Sequence, residues 1–409
     1  MQRGFDVIVL GLGGMGSAAA YHLARRGLRV LGLERFTPGH PHGSSHGRSR
    51  VTRTAYFEDP EYVPLLVRAW ELWLDLGREA GQPILTPTGG LMIGPSGCGL
   101  VEGSLRSART HGLRHELLDA ASLRRRYPEL RPEPDTVALL DEQAGLVDPE
   151  ASVRAHLAGA QAAGAELRFT EPVTAWSASP RGDRVRVETA AGTYEAGRLV
   201  LAPGPWAPSV LAELALPLRL QRQVLYWFDP PGGVTPFLID RFPVYIWEAA
   251  PDRHFYGFPH QPGPPGGVKV AFFYSPASGE TERDAARAVR DEPATPEATD
   301  RSVHPDEVAA MRRCVAAHIP ALDGPLLAAA TCLYTVTPDH HFVIALHPRH
   351  PNVVVASPCS GHGFKFVPVV GEILADLAVH GTTSHPIGLF RPERFATGRN
   401  VAADREKAG

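Results

Sequence analysis

Three glycines near the start of the chain carry the clearest chemical signal in the sequence. Gly11, Gly13 and Gly16 follow the apolar run from Phe5 to Leu10, whose β-branched residues are typical of a buried parallel strand. Glycines at this spacing allow a tight turn, a close approach of the backbone to a pyrophosphate, and close packing of a helix on the strand. Glu34 ends the next apolar run, where its carboxylate can accept hydrogen bonds from a ribose. The pattern predicts a dinucleotide site for FAD or NAD, with a glycine-rich turn that binds no ligand as the alternative.

Arginines crowd the loop that follows Glu34. Arg48, Arg50 and Arg53 lie in one short segment, so that two arginines three residues apart could face the same pocket. A guanidinium at such a place can bind a carboxylate through two parallel hydrogen bonds. The alternative is a solvent-exposed face made of surface ion pairs.

The same loop contains three histidines, His40, His42 and His46. Their spacing matches no closed set of metal ligands, and no cysteine lies near them. We therefore predict a solvated or cofactor-facing loop and no metal.

Two lysines and one cysteine stand in unusual surroundings. Lys269 is the only charge in an aromatic, β-branched strand, so that it points either to solvent or into a functional cavity. Lys365 follows the glycine-rich turn SGHG at a helix start, where free N–H groups could meet an anionic ring edge or a carboxylate. A solvated surface lysine is the alternative for Lys365. Cys332 lies in an apolar strand and, taken alone, is most simply a buried structural residue.

Length, charge and composition exclude several classes of protein. The 409 residues suit two joined domains, and a net charge of −3 without a basic block argues against nucleic acid as a partner. The apolar stretch from Val7 to Leu23 contains four glycines and is better used as a strand and helix, so we predict no targeting segment and no membrane span. The cysteines are too scattered for a disulfide framework, which fits a cytoplasmic location: Cys98, Cys314, Cys332 and Cys359.

Periodicity and turn residues predict the elements that must position these side chains. Helices are predicted at 62–80, 118–127, 148–164 and from the turn at 360–363 to about residue 378. Strands are predicted in the segments 89–93, 184–188, 193–196, 198–202, 326–336, 342–346 and 353–356. The aromatic and β-branched runs between Gln221 and Tyr274 predict an antiparallel sheet, and 275–305 predicts an exposed excursion around a short helix.

The order of these elements predicts a chain that leaves the dinucleotide-binding domain and returns to it twice. We predict that residues 1–85, 145–215 and 325–400 form this domain. Residues 86–144 and 216–324 would form a substrate domain.

Four separated segments together resemble one family. The N-terminal strand–helix–strand unit, GSSHGRSRVTRTAYFEDPEYVPL, TCLYTVTPDHHFVI and PCSGHGFKF are similar to the monomeric sarcosine oxidase and N-methyltryptophan oxidase group of FAD-dependent amine oxidases. The likeness runs from about Phe5 to about Ala378. It implies FAD rather than NAD. It also implies an α/β (α+β) fold, with a Rossmann-like FAD-binding domain and a p-hydroxybenzoate-hydroxylase-like antiparallel-sheet substrate domain.

The resemblance implies a set of residues that hold the cofactor. Gly11, Gly13 and Gly16 would bind the FAD diphosphate, and Glu34 the adenosine ribose. Cys332 matches the cysteine that forms a covalent thioether to the flavin 8α-methyl group. The residues implied to lie around the flavin are Ser44, His46, Arg50, Gly361 and Gly363.

The resemblance also implies catalytic roles. Arg53 and Lys365 match the pair that binds the substrate carboxylate. Lys269 matches the lysine over the flavin that is implicated in oxygen activation, where a fixed positive charge stabilises developing negative charge. Tyr334 matches an active-site tyrosine, and His362 matches the histidine of the glycine-rich turn.

One position departs from the family pattern. Phe273 stands where sarcosine oxidase has an active-site histidine, which predicts a more apolar amine side of the pocket. The activity implied is oxidation of the C–N bond of a small secondary or N-methylated amino acid to an imine. Hydride would pass to FAD, and molecular oxygen would be reduced to hydrogen peroxide.

Other readings stay open. The first is a dehydrogenase of the same fold that passes electrons to a quinone or to another protein. The others are an NAD-dependent enzyme and a flavin-binding protein with a decayed substrate pocket. The partners we expect are a small amino acid and molecular oxygen, with no nucleic acid and no membrane, and we expect a monomer.

Overall fold

Two large sheets organise the chain. The computed structural model describes residues 4–250, 253–273, 292–357 and 360–395. Its strands are β1 (Phe5–Leu10), β2 (Val30–Leu33), β3 (Arg50–Thr52), β4 (Leu85–Pro87), β5 (Gly90–Pro95), β6 (His115–Asp119), β7 (Thr136–Asp141), β8 (Gly145–Val147), β9 (Glu166–Arg168), β10 (Val173–Ala178), β11 (Val185–Thr189), β12 (Gly192–Leu201), β13 (Arg219–Phe228), β14 (Val244–Ala250), β15 (Arg253–Gly257), β16 (Val268–Phe273), β17 (Leu326–Val336), β18 (Val343–His347) and β19 (His350–Ser357).

The helices pack on these sheets. They are α1 (Gly14–Arg25), α2 (Val63–Ala80), α3 (Gly99–His111), α4 (Ala120–Arg126), α5 (Pro149–Ala162), α6 (Ala207–Val210), α7 (Pro305–His318) and α8 (Val367–His380). The small residues Ala18 to Ala20 let α1 lie close to both α5 and α8, and all three alanines are fully buried. Among the described residues, no helix is both long and apolar enough to cross a membrane.

The first sheet contains the predicted strand–helix–strand unit. Its strand order is β10-β11-β12-β1-β2-β9, with β19 beside β12 and β18 beside β19. Strand β1 runs parallel to β2 and β12, and β12 runs parallel to β19. Because parallel strands end at the same edge, the glycine turn after β1 and Glu34 after β2 meet there.

The second sheet has the order β17-β13-β16-β15-β14-β5-β7-β6. Its pairs are antiparallel except for β14 and β5, which run parallel. Strand β13 lies between β16, which carries Lys269, and β17, which carries Cys332 and Tyr334. A small third sheet of β3, β8 and β4 places Arg50 opposite Val147, just before α5.

The structure corrects several predicted elements. Segments 193–196 and 198–202 form one continuous strand, β12, because its first half pairs with β11 and its second half with β1. Leu118 belongs to β6 rather than to the predicted helix, which begins at Ala120 under the cap of Asp119. The predicted excursion at 275–305 falls largely outside the described residues.

The domain boundaries stay a prediction. Strand β17, which they assign to the FAD-binding domain, hydrogen-bonds to β13 in the second sheet along its whole length.

Candidate active site

A long cavity opens at the carboxyl ends of β1 and β2. It has a volume of about 730 Å³, and the predicted residues that line it include Gly11, Gly13, Glu34, Ser44, Arg50, Tyr334, Gly361 and Gly363. A smaller space of about 40 Å³ adjoins it and shares Arg50, Tyr334, Gly361 and Phe364 with it. The side chains that line this smaller space also include Arg53, Ile246, Tyr256, Phe273, His362 and Lys365. The structure therefore brings most of the predicted site residues together in two adjoining spaces, whereas Gly16, His46, Lys269 and Cys332 line neither of them.

The glycine turn is shaped for close contact. A Cβ atom on Gly16 would lie 1.7 Å from the Gly11 carbonyl oxygen, so only glycine fits beneath the turn. A Cβ atom on Gly13 would meet nothing nearer than the Ser45 hydroxyl at 3.6 Å, and the room around it belongs to the cavity. Helix α1 begins at Gly14 without an acidic residue in its first turn. Gly13, Gly14 and Met15 line the cavity, so the positive end of the helix lies beside it, as an anion site requires, although the Gly14 N–H donates to the Ser45 hydroxyl at 3.0 Å.

Glu34 is held in place at the edge of the cavity. Its carboxylate accepts hydrogen bonds from the Leu12 N–H at 2.8 Å and from the Phe36 N–H at 3.0 Å. The residue is only 6% exposed. A carboxylate that is buried and fixed in this way presents a constant acceptor to a ribose.

Arg50 and Ser44 build the next part of the wall. The Arg50 guanidinium donates to the Ser44 carbonyl and to the Ser49 carbonyl, both at 2.9 Å. The Ser44 hydroxyl donates to the Leu333 carbonyl on β17 at 2.5 Å, which ties this loop to the second sheet. Two buried polar atoms here, His46 Nε2 and Ser49 Oγ, have no hydrogen-bond partner in the described part of the chain. Neither residue is among those that line the two adjoining spaces, so the predicted contact of His46 with a cofactor stays a prediction.

Cys332 is buried in β17. Burial raises the pKa of its thiol, although the cations around it oppose that shift. Its neighbours Leu333 and Tyr334 line the cavity, whereas Cys332 is not among the lining residues. The thiol is therefore next to the cavity wall rather than open to solvent.

Arg53 and Lys365 come together around one aromatic ring. The Arg53 guanidinium lies 4.2 Å and the Lys365 ammonium 5.2 Å from the ring centroid of Tyr56. Arg53 is 1% exposed, and its Nη2 donates to both carboxylate oxygens of Glu58 at 2.7 Å. Lys365 donates to the His362 carbonyl at 2.9 Å. Burial, followed by the charge of Arg53, lowers the pKa of Lys365 to about 7.

His362 is held in one neutral tautomer. Its Nε2 lies 2.9 Å from the His340 carbonyl, which can only accept, so Nε2 carries the proton. Its Nδ1 then accepts the Tyr56 hydroxyl proton at 2.5 Å. Burial lowers the pKa of His362 to about 3. The predicted site histidine is therefore a positioning group rather than a proton carrier.

Lys269 points inward. It is 2% exposed, and its Nζ donates to the Gly47 carbonyl at 2.7 Å and to the Ser49 carbonyl at 2.8 Å. Burial and the nearby Arg50 guanidinium lower its pKa well below the usual range. Of the two alternatives left open by the sequence, solvent is excluded. Lys269 lies with the Gly47–Ser49 turn, a different set of groups from those around Arg53 and Lys365.

Three residues that hold the site together were not predicted from the sequence. Glu58 and Tyr56 stand in the family segment but look like ordinary surface and core residues. Asp141, at the end of β7, is fully buried and accepts from the N–H groups of Thr54 and Ala55 at 2.7 and 2.8 Å, so it holds the segment after Arg53. One available signal was the use of lysine: the chain has three lysines, and Lys269 and Lys365 are two of them. Since arginine serves for charge in most of the chain, a lysine at these two places is an uncommon choice that could have drawn attention to them.

One group of side chains could in principle meet a metal ion. Among the described residues, ligand atoms of Glu213, His347 and His350 lie within 4.8 Å of one another, and the loop histidines are not part of this group. Arg349 already pairs with Glu213 at 2.5 Å, and its backbone N–H donates to His347 Nδ1. The proton of a neutral His347 is then on Nε2, which faces Glu213 at 2.9 Å. These contacts describe an ion-paired cluster, and the absence of a metal stays a prediction.

Comparison with known proteins decides the family. Residues 6–377 match the family described as FAD dependent oxidoreductase. The chain belongs to this family. It is 54% identical to the monomeric sarcosine oxidase of Streptomyces avermitilis, over 97% of this chain and 99% of that protein. It is 34% identical to the N-methyl-L-tryptophan oxidase of Salmonella arizonae, over 96% and 99% of the two chains.

Solved structures agree with this assignment. NikD, an unusual amino acid oxidase essential for nikkomycin biosynthesis, superimposes with a TM-score of 0.79 and 28% identity, over 95% of this chain and 97% of that one. The predictions of the sarcosine oxidase group, of the mixed α/β fold and of an FAD-dependent oxidoreductase are confirmed. The roles of single residues and the covalent link to FAD stay predictions.

Proposed function

We propose that this FAD-dependent oxidoreductase oxidises the C–N bond of a small secondary or N-methylated amino acid to an imine, and reduces molecular oxygen to hydrogen peroxide. One observation carries the proposal. Two cations, Arg53 and Lys365, are buried around the Tyr56 ring beside a cavity of dinucleotide size. Glu58 already pairs with Arg53, so one carboxylate faces two buried cationic groups, and a substrate carboxylate is the second anion that would offset the remaining charge.

The chain's own residues fit FAD. The room around Gly13 and the N-terminus of α1 suit the diphosphate, and Glu34 suits the ribose. Ser44, Arg50, Gly361 and Gly363 line the space proposed for the flavin ring, whereas His46 and Ser49 line neither space. FAD, when bound, supplies the two-electron acceptor for the substrate and the two-electron donor for oxygen.

The carboxylate would bind at a guanidinium that is already engaged. Arg53 has Glu58 as its partner, so the substrate carboxylate must share the guanidinium with Glu58 or replace it. Burial lowers the pKa of Lys365 to about 7 in the free protein. A second carboxylate beside the ammonium would raise this pKa again and keep Lys365 protonated. Binding of the carboxylate is therefore coupled to uptake of a proton by Lys365 near neutral pH.

The amine side of the pocket is proposed to be apolar. The support is that Phe273, Ile246 and Tyr256 line the smaller space that Arg53 and Lys365 also line. An apolar wall and nearby cations both disfavour a protonated amine, and oxidation requires the neutral amine. His362 cannot take the amine proton, since its Nδ1 is occupied by the Tyr56 hydroxyl. The proton would leave to water as the substrate binds.

Lys269 is proposed to act on oxygen. Two fixed carbonyl acceptors favour its charged form against the burial that lowers its pKa. A positive charge that needs no reorganisation stabilises negative charge as it develops on oxygen. Tyr334, which lines both parts of the cavity, is proposed to complete the wall between the two cationic regions.

Cys332 is proposed to hold FAD covalently. Its support is its place in β17, next to two lining residues. After acid precipitation the wild-type pellet should stay yellow, whereas a Cys332→Ala pellet should be colourless and its supernatant yellow. Cys314→Ala, a change at another free cysteine, is the matched control and should keep a yellow pellet. A colourless wild-type pellet would refute the linkage.

Three further proposals concern the state of the protein. We propose a monomer, in keeping with the printed names of the sarcosine oxidase relatives. We propose a cytoplasmic location, which the free thiols of Cys98, Cys314 and Cys332 support. We keep the predicted division into an FAD-binding and a substrate domain, supported by two separate large sheets.

The substrate class can be tested by anaerobic loss of flavin absorbance. The panel contains sarcosine, N-methyltryptophan, proline, pipecolate, glycine and fructosyl-amino acids. Loss with a small N-methylated or cyclic secondary amino acid would support the proposal. Loss with glycine alone, or with none of the panel, would contradict it.

A further inference from the structure

The short turn from Gly47 to Ser49 is hydrogen-bonded by two charged side chains on opposite sides. The Lys269 ammonium donates to the carbonyls of Gly47 and Ser49 at 2.7 and 2.8 Å. The Glu150 carboxylate accepts from the N–H groups of Gly47 at 2.7 Å and of Arg48 at 3.1 Å. The carbonyls thus face a cation and the N–H groups face an anion, and the Gly47–Arg48 peptide group contacts both side chains.

The backbone of this turn explains why an anion is needed. Gly47 has a φ of 96° and Arg48 a φ of 68°, both in the left-handed region. Two successive N–H groups in such a turn point to one side and form a concave site for an anion. The left-handed backbone of Arg48 costs about 1–2 kcal/mol, so contacts with other groups must stabilise the turn. A side chain at Gly47 is disfavoured, because a φ of 96° is strained for any other residue and its Cβ would press on Leu225 Cδ1 at 2.5 Å.

Glu150 stands on a rigid base. It is the second residue of α5, after Pro149, and Asp148 caps the helix by accepting from the Ala151 N–H at 2.8 Å. A carboxylate in the first turn of a helix is stabilised by the helix dipole. Strand β8, which leads into α5, pairs with β3. The start of α5 is therefore also held next to Arg50, which lies opposite Val147.

The charges around Lys269 come from four elements. Arg50 on β3 and Arg48 in the turn disfavour the ammonium, while Cys332 on β17 and Glu150 on α5 favour it. Burial is the largest influence and lowers the pKa of Lys269. Since burial raises the pKa of the Cys332 thiol, that group is neutral near neutral pH and Glu150 is the carboxylate that offsets the arginines.

We propose that Glu150 is a positioning residue for the oxygen reaction, which fixes the Gly47–Ser49 turn and thereby places and charges the Lys269 ammonium. The inference rests on the proposed role of Lys269 and names a residue that acts through it. Glu150 needs no contact with substrate or cofactor for this role.

The decisive change is Glu150→Gln. The amide keeps the volume and one acceptor oxygen, but its NH2 group cannot accept the second N–H of the turn. Asp148→Asn is the matched control, because it removes a neighbouring charge while asparagine still caps α5. Reduction by substrate and reoxidation by oxygen are timed separately on FAD-loaded protein across pH.

A second readout does not depend on turnover. The chain has only three lysines, Lys269, Lys365 and Lys407, so 13C-labelled lysine gives a simple spectrum. The signal absent from Lys269→Met identifies Lys269, and its titration can be followed directly in the FAD-loaded protein. We expect Lys269 in Glu150→Gln to titrate about one pH unit lower than in the wild type. Reoxidation above that pH should be about tenfold slower, with substrate reduction unchanged.

The outcomes separate this inference from the proposed function. The inference is overturned if Glu150→Gln titrates and reoxidises like the wild type while Lys269→Met reoxidises slowly, and the role of Lys269 then stands. If Lys269→Met reoxidises normally, the role of Lys269 falls and the inference falls with it. Should Glu150→Gln not hold FAD, Glu150→Asp keeps the charge with a shorter reach, and a titration and reoxidation equal to the wild type would overturn the inference.

Discussion

Lys269 and Lys365 are both buried, yet their surroundings give them different tasks. Lys269 donates to two carbonyls of one turn, so its hydrogens are largely committed. Lys365 donates to one carbonyl and faces the Arg53 guanidinium. A lysine with committed hydrogens acts as a fixed charge, whereas one with free hydrogens can still bind an anion. The neighbours of each lysine, rather than its type or burial, decide its role.

The difference also separates the two halves of the proposed reaction. The Arg53 and Lys365 region would bind the substrate carboxylate, and the Lys269 region would serve oxygen. Asp141 holds the first region through the N–H groups of Thr54 and Ala55, and Glu150 holds the second through the turn at Gly47. A change in one region should therefore leave the other half-reaction nearly intact.

The largest expected effect is that of Lys269→Met on reoxidation. Loss of the fixed charge should slow the reaction with oxygen by about 100-fold or more, since preorganised charges contribute on this scale. Reduction by substrate, timed anaerobically by stopped flow, should change little. Lys365→Met is the counterpart and should slow reduction instead. Equal slowing of both half-reactions in Lys269→Met would show that Lys269 does not act on the oxygen reaction alone.

Arg53→Ala should weaken the binding of a carboxylate inhibitor by about 1.5–3 kcal/mol, the usual loss for a charged hydrogen bond. A titration of flavin absorbance with the inhibitor measures its Kd in the wild type and in the variant. Arg25→Ala is the matched control, because Arg25 also holds a glutamate, Glu79, but at an exposed site. Unchanged affinity in Arg53→Ala would remove this residue from the substrate site.

The smallest expected effect is a pH dependence of inhibitor binding. Burial and Arg53 lower the pKa of Lys365 to about 7 in the free protein, and a bound carboxylate raises it again. Lys365 therefore takes up a proton on binding above pH 7, and the Kd should rise by up to about tenfold for each pH unit above that value. The slope should vanish in Lys365→Met. A flat profile in the wild type would contradict proton uptake by Lys365 on binding.

Local patterns predicted the dinucleotide end of the molecule well. Strand β1, the glycine turn, α1 and Glu34 are contiguous, and each follows from spacing or residue size. The second sheet was predicted as antiparallel, and its one parallel pair, β14 with β5, was missed because the partner strand lies far away in sequence.

The substrate end could be predicted only in part. Arg53 and Lys365 were paired through the resemblance, and the structure places both at Tyr56. The sequence could not show that Glu58 already holds Arg53, because a glutamate five residues away looks like a surface charge. It could not show Asp141 either, since the hydrogen bonds of that side chain reach residues far back in the chain.

The proposed oxidase activity is tested most directly by following a single sample through both half-reactions. The wild-type protein is reduced with sarcosine without air and then mixed with air-saturated buffer, while flavin absorbance and peroxide are recorded. We predict loss of absorbance, prompt recovery in air, and one hydrogen peroxide for each flavin reoxidised. A reduced protein that persists in air, but recovers at once with a quinone or dye, would contradict the oxygen role of Lys269 and establish the dehydrogenase alternative.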